Sequence, residues 1–535
     1  MALYEVPSGS GSVTLSSLPS GKHVYLLKTN PTARYVPASG EQYASSVSGT
    51  TPYYPLTVLP DDGTGGAEVP EKQRKIANPA MRLAARSVAD AGPALAAGVS
   101  GTDIDRSTSQ LSLTECQTTK EFWVENNVEM SSFRKEEFIL GALGAHCNVW
   151  IPNNNSSIYV KTAQMICLKF ELTYDDIRGA FGAESEEIFY PDGGSFRLVP
   201  MQTLSDTEVS GGLNRVNILV YDLAADGVTS GTALTGYFHS KDYFPDADDL
   251  AAITGGRFSY PDGADAIGCS NEGKYLYIDS NYAKQDFDLA VSTIIHEFQH
   301  LIFWGRKTIP LGKLSPTWYN EMMSMMCEDL FCSKLSLADD NTPLARYPLF
   351  CGNWYGAGLE YRDGSGLQLL MSYAYPFAFG DWLMRNFGGR AIVSSMASDG
   401  LFGVPSIERA AGKDIGELLK LFAASCAAED SASLGGCGGC SFAGSPDGLK
   451  DVDLWRLYKK LPDTYERHKN DGAYGFVGPR VLRYDSRTGM RPWGVKACYV
   501  GESAGGDLSV SMALGEPSAD VRMYLLVSSS EPEDY

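Results

Sequence analysis

The feature that most constrains this chain is the run "FDLAVSTIIHEFQHLIFWG", residues 287–305. Its apolar positions recur with the 3.6-residue period of a helix, Asp286 or Asp288 can cap the start, and Gly305 falls near the expected stop. Leu289, Thr293, His296, His300 and Phe303 then share one side, so the two histidines lie on a partly buried face turned toward a partner element. The chain has only six histidines, and two of them stand four apart here, one helical turn from each other. Imidazoles so placed both reach one Zn²⁺, and Glu297 sits beside them within reach of a metal-bound water. The competing reading is a helix with two hydrogen-bonded core histidines.

Catalytic zinc takes three protein ligands and keeps a fourth position open. The next helical stretch, "SPTWYNEMMSMMCEDLFCSKL" from about Ser315 or Pro316, offers Glu321, with Glu328 and Asp329 as alternatives further along. Met322, Met323, Met325 and Met326 read as flexible core filling between helices.

The rest of the chain alternates between two textures. Residues 1–62 form an expected N-terminal β module ("SVTLSSL", "HVYLLKTN", "ARYVPA", "YYPLTVL"), and 63–114, rich in Ala, Gly, Asp and Pro, a linker with a short helix near 79–89. A sheet-containing part spans 115–305, with strands at "EFWVEN", "CNVWIP", "SIYVK", "NRVNILVYDL", "TGYFHSKDYF" and "KYLYIDSN" and a helix at "AQMICLKFELTYDDIRGAFG". A helical part follows over 306–432, then a glycine-rich connector over 433–470 and a C-terminal β module over 471–535.

At 535 residues the chain is too long for a single core. A net charge of −21 argues against nucleic acid and anionic membrane surfaces as partners. No apolar run is long enough to span a bilayer. The eleven cysteines are too sparse for a disulfide scaffold and read mostly as small buried residues. Cys437 and Cys440 form a C-x-x-C in a glycine loop, read as a local disulfide or inert thiols rather than a redox centre. Asp246, Asp248 and Asp249 in "DYFPDADDLAA" are candidate Ca²⁺ ligands, although the loop lacks an EF-hand's glycine, and a solvated loop is the simpler reading.

H-E-x-x-H followed by W-x-N-E on a second helix resembles the glutamate-zincins, the group that contains thermolysin and aminopeptidases of the same fold. "HEFQHLI" with "WYNEMMS", "TKEFWV", "HCNVWIPN", "SYAYPFAFGDWL" and "NFGG" are similar to the hyicolysin family of bacterial zinc metallopeptidases, over roughly residues 115–430. The resemblance implies an α+β, thermolysin-like catalytic domain of a mixed-sheet and a helical subdomain, flanked by small β-rich modules. It implies His296, His300 and Glu321 as zinc ligands and Glu297 as general base, then general acid. By the aminopeptidase pattern it implies Glu328 as the carboxylate behind a zinc histidine, and Tyr373, ten before Leu383 at a helix start, as oxyanion stabiliser, with Tyr375 and His239 in reserve.

Two positions depart from the family pattern. Met325 stands where thermolysin has an aspartate behind a zinc histidine, and Met322 stands where the family usually has glycine. The exopeptidase run G-x-M-E-N is absent, and the strand "GKYLYIDSN", taken as an edge strand, suits backbone pairing with an extended peptide. These readings imply a zinc-dependent endopeptidase acting on peptides or proteins. They also imply an extracytoplasmic location after loss of a signal segment not present in this chain. The alternative is a non-catalytic surface or adhesive binding protein on a zincin scaffold.

Overall fold

A computed structural model describes residues 2–6, 12–41, 43–51, 118–126, 132–153, 156–192, 195–201, 215–223, 235–257, 259–260, 266–360, 366–434, 440–483, 488–513 and 521–532. The expected linker, its short helix, the strand "YYPLTVL" and Cys437 lie outside the described residues.

The chain's N-terminal part supplies β1 (Ala2–Val6), β2 (Ser12–Leu18), β3 (His23–Thr29), β4 (Tyr43–Ser48) and β5 (Thr50–Thr51). Next come β6 (Thr119–Glu125), β7 (Phe133–Leu143), β8 (Cys147–Pro152), helix α1 (Ser156–Phe181), β9 (Glu187–Asp192), β10 (Ser195–Pro200), β11 (Val216–Tyr221), β12 (Gly236–Tyr237) and β13 (Tyr275–Asp279). Helices α2 (Phe287–Phe303), α3 (Thr317–Leu335), α4 (Leu367–Phe387) and α5 (Ile415–Ala427) follow, then β14 (Leu482–Arg483), β15 (Val495–Ser503), β16 (Gly506–Ala513) and β17 (Arg522–Ser528). The architecture is mixed, with helices and sheets in separate blocks, and is compatible with α+β.

The central sheet has the order β12-β13-β11-β8-β7-β6. β8, β11 and β13 run parallel, while β12, β7 and β6 are antiparallel additions at the two ends. β8, β11 and β13 are buried along their whole length, as parallel strands covered on both faces must be. One face carries Val149, Ile151, Ile218, Val220, Leu276 and Ile278 and packs under α1 and α2. The other carries an aromatic cluster that includes Phe122, Phe138, Trp150, Tyr221, Tyr237 and Tyr277.

β13 is not an edge strand. It lies between β11 and β12, with Tyr277 opposite Tyr237 and Ile278 opposite Gly236. The edge expected at "KYLYIDS" therefore belongs to the short strand Gly236–Tyr237. "SIYVK" is likewise no strand but the first turns of α1, because its β-branched residues continue into the helical pattern of "AQMICLKFELTYDDIRGAF". "ARYVPA" contributes a single bridge, Val36 to Met490.

The two chain ends, read as separate modules, pair with each other. β3 runs between β17 and β15, β1 extends this sheet beyond β17, and β16 sits between β2 and β4 in a second sheet. Val24, Leu26, Cys498, Leu508, Val510, Met523 and Leu525 fill the space between them. The alternate residues Tyr25, Leu27, Val495, Ala497, Tyr524 and Leu526 face the other way and join the main core beside α5. The terminal strands thus form one sandwich sharing a core with the helical part. Trp493, in a left-handed conformation (φ 52°), rests its ring 5.7 Å from that of Trp318, in the first turn of α3.

Candidate metal centre

Helix α2 starts where the Asp286 side chain accepts from the Leu289 N–H at 3.2 Å. It does not stop at Gly305: a wider turn over Trp304–Thr308 continues it. Gly305 instead admits a neighbour, since a Cβ there would lie 2.6 Å from the Ser185 backbone nitrogen. Helix α3 packs against both α2 and α4, and its Met322, Met323, Met325 and Met326 are all fully buried, as core filling requires. The missing small residue at Met322 is supplied from the opposite helix. Gly380 of α4 faces Met322 and Met326, and a Cβ there would approach their Cγ atoms to 2.8 and 3.0 Å.

This packing brings three donor groups together. His296 Nε2 and His300 Nε2 lie 3.1 Å apart. The Glu321 carboxylate reaches both, at 3.2 Å to His296 Nε2 and 3.6 Å to His300 Nε2. Two nitrogens bonded to one tetrahedral zinc at ~2.0–2.1 Å lie about 3.3–3.4 Å apart, so the spacing of the two imidazole nitrogens, with a carboxylate oxygen near each, is close to that of ligands sharing one zinc. Two imidazoles and one carboxylate, all partly accessible, also match the ligand chemistry of such a site. Electrostatics agree. Burial alone would raise the Glu321 carboxyl, yet His300 and His296 hold it far below the ordinary carboxylate range. Burial alone would lower His296, yet hydrogen bonds to Glu321 and Glu328 raise it well above its ordinary value.

The outer shell fixes the imidazoles. Glu328 Oε1 accepts from His296 Nδ1 at 2.7 Å, and its other oxygen accepts from the Ser292 hydroxyl at 2.6 Å. The Ser324 hydroxyl lies 3.0 Å from His300 Nδ1 and donates to Gln299 Oε1 at 2.5 Å, so it accepts from His300. Both bonds place the proton on Nδ1 and leave Nε2 free to donate its lone pair. Asp329 turns the other way, into a buried group with Asp381 and Arg385.

Glu297 is 7% exposed, and burial pushes its carboxyl up from the ordinary range against the pull of His296 and His300. The Phe238 backbone N–H donates to it. That contact depends on Gly236, where a Cβ would lie 2.6 Å from Thr293 Cγ2 on α2. Gly236, Phe238, Ser324 and Gln299 were not legible as site residues. The only local signal was Ser324, one turn after Glu321 on the same helix.

The other candidates are held by contacts of their own. Tyr373 is inside α4 rather than before it, because that helix begins at Leu367, and its half-buried ring covers the Arg346 guanidinium at 5.9 Å. Tyr375 is fully buried and donates to the Trp493 carbonyl. His239 is buried at the start of a 3₁₀ turn, where its Nδ1 accepts from the Lys241 N–H. Asp246 and Asp249 gather with Glu272, without Asp248. The Asp246 side chain accepts from the Asp249 N–H as the cap of a short helix, which accounts for that pairing without an ion. Cys440 is buried.

Among the described residues no helix is long and apolar enough to cross a membrane. No family model matches the chain. It is 23% identical over 343 residues to the neutral metalloprotease ShpI of Staphylococcus hyicus, a stretch covering 60% of this chain and 64% of that protein. The chain thus spans less than two thirds of its relative's length, and the likeness, distant as it is, points to a metallopeptidase.

Proposed function

We propose that the chain is a zinc-dependent endopeptidase, with His296, His300 and Glu321 holding the metal. The observation that carries the reading is the meeting of His296 Nε2, His300 Nε2 and the Glu321 carboxylate, one oxygen toward each histidine, backed by Glu328 and Ser324. A zinc ion there supplies Lewis acidity toward a carbonyl and brings the pKa of a water near neutrality. Glu297 takes the proton of the attacking water and returns it to the departing amine. Burial favours the first step, because a carboxyl raised above its ordinary range takes up and holds a proton more readily. The Phe238 N–H keeps the carboxylate turned toward the site while it waits.

An extended substrate would pair along the segment that ends the sheet at Gly236–Tyr237, beside α2. Tyr373 remains the proposed donor to the developing oxyanion, on sequence pattern alone. Action outside the cytoplasm belongs to the same proposal and rests on the family resemblance.

The test is casein cleavage by the zinc-loaded protein beside Glu297→Gln. The variant is expected to keep its zinc and lose roughly 10²–10⁴-fold in rate, the usual worth of a general base. Full activity in Glu297→Gln would end the mechanism. Zinc-loaded wild type that binds peptides without cleaving them would favour the non-catalytic binding protein.

A further inference from the structure

A second cluster of reactive side chains lies apart from the metal centre, where the β7–β8 hairpin meets α1. The hairpin turns at Gly144, whose N–H donates to the Cys147 carbonyl at 2.8 Å. Glu171 of α1 binds this turn from below. Its Oε1 accepts from the backbone N–H groups of His146 and Cys147 at 2.7 and 3.2 Å, and its Oε2 lies 2.6 Å from His146 Nδ1. Gly144 permits the approach: a Cβ there would fall 2.1 Å from Glu171 Oε1 and 2.9 Å from Cys167 Sγ. Cys167 is four residues before Glu171 on the same helix and so shares its face. The Cys147 and Cys167 sulfurs face each other at 3.7 Å.

We propose that Cys147 and Cys167 are a redox pair that closes into a disulfide, tying β8 to α1. Glu171 already ties the two backbones together, and the sulfurs have to close from 3.7 Å to the ~2.05 Å of an S–S bond. Both Glu171 oxygens are engaged by the turn, which leaves the carboxylate poorly placed to serve as a third metal ligand. Cys167, 8% exposed against 0% for Cys147, is the sulfur that an incoming reagent meets first. The oxidant is a small-molecule disulfide. The Cys167 thiolate attacks it, forming a mixed disulfide and expelling one thiolate. The Cys147 sulfur, whose thiol hydrogen-bonds to Glu171, then attacks Cys167 Sγ and expels the second. Two protein thiols lose two protons and two electrons, and the reagent leaves as two thiols.

The test incubates the native full chain with oxidised glutathione, blocks free thiols in denaturant without reductant, and maps the non-reduced peptides. The expected result is a crosslinked peptide pair containing Cys147 and Cys167, reversed by dithiothreitol. The apparent unfolding midpoint should rise by about 3–8 °C on oxidation, as closing a loop of this length predicts, and a Cys147→Ser/Cys167→Ser double variant should show no such rise. Both cysteines recovered alkylated after oxidation would overturn the proposal. So would a second zinc ion per chain that disappears in Cys147→Ser while the first is retained, since the pair would then be a metal site. Neither result bears on His296, His300 and Glu321, so this inference stands or falls apart from the proposed peptidase activity.

Discussion

Replacing Glu328 should weaken metal binding in a graded way. Its carboxylate makes two short hydrogen bonds, 2.7 Å to His296 Nδ1 and 2.6 Å from the Ser292 hydroxyl, in a buried position. Glu328→Gln keeps the shape and, through its carbonyl oxygen, the bond from His296 Nδ1, but it removes the charge, and its amide N–H must donate to the Ser292 hydroxyl instead of accepting from it. Charge-assisted bonds are about twice as strong as neutral ones, so the substitution should cost about 1 kcal/mol, or roughly 5-fold in zinc affinity. Glu328→Ala leaves His296 Nδ1 and Ser292 without their acceptor and lets the imidazole rotate. Loss of such an outer partner typically costs 10–100-fold in affinity, about 1.4–2.7 kcal/mol. Ser324→Ala removes only a neutral acceptor from His300 and should fall near the Gln variant, about 2–10-fold. The assay is competition for zinc against a chromophoric chelator of known affinity, with activity at saturating zinc read in parallel. The expected order of affinity loss is Glu328→Ala, then Glu328→Gln and Ser324→Ala together, with activity largely recovered when zinc is saturating. Wild-type affinity in Glu328→Ala, or a larger loss in Ser324→Ala than in Glu328→Ala, would refute the assignment of Glu328 as the group that orients His296.

Gly236→Val should lower kcat with zinc content unchanged, because its side chain must push the edge segment off Thr293 and carry the Phe238 N–H away from Glu297; metal analysis beside casein kinetics checks this. Gly380→Val should destabilise by about 1–3 kcal/mol through overpacking against Met322 and Met326, seen as a lower urea midpoint. Acid should weaken the fold partly through Glu184: burial would raise its carboxyl, but Lys274 and Arg178 hold it below the ordinary range. A depressed folded-state value means this stability is present above the ordinary carboxylate range and lost as pH falls through it. Glu184→Gln should therefore lower the urea midpoint at pH 7 and flatten its fall between about pH 5 and pH 3.5.

What could be read from the sequence was local. The spacing of His296 and His300 and the carboxylate that follows the first are properties of a single helix. Glu321 could be paired with them because the next helix is the natural packing partner. What could not be read was set by contacts between distant segments. β13 looked like an edge because the strand that covers it is two residues long and lies in a stretch where only Gly236 and Tyr237 pair. β1 pairs with β17, at the opposite end of the sequence, and nothing in alternating apolar residues names a partner so far away. Ser324 carries little signal of its own in the sequence: the resemblance points to position 325, where Met325 packs in the core, and it is the neighbouring Ser324 that reaches His300. Met322 looked like a departure until Gly380 on the facing helix supplied the missing room.

The proposed zinc site depends on Glu321 completing what His296 and His300 begin. Zinc measured by mass spectrometry in protein dialysed against a weak chelator tests it directly. One zinc per wild-type chain, falling to well under a tenth in a folded Glu321→Ala variant, is the predicted result; equal zinc in the two proteins would contradict it.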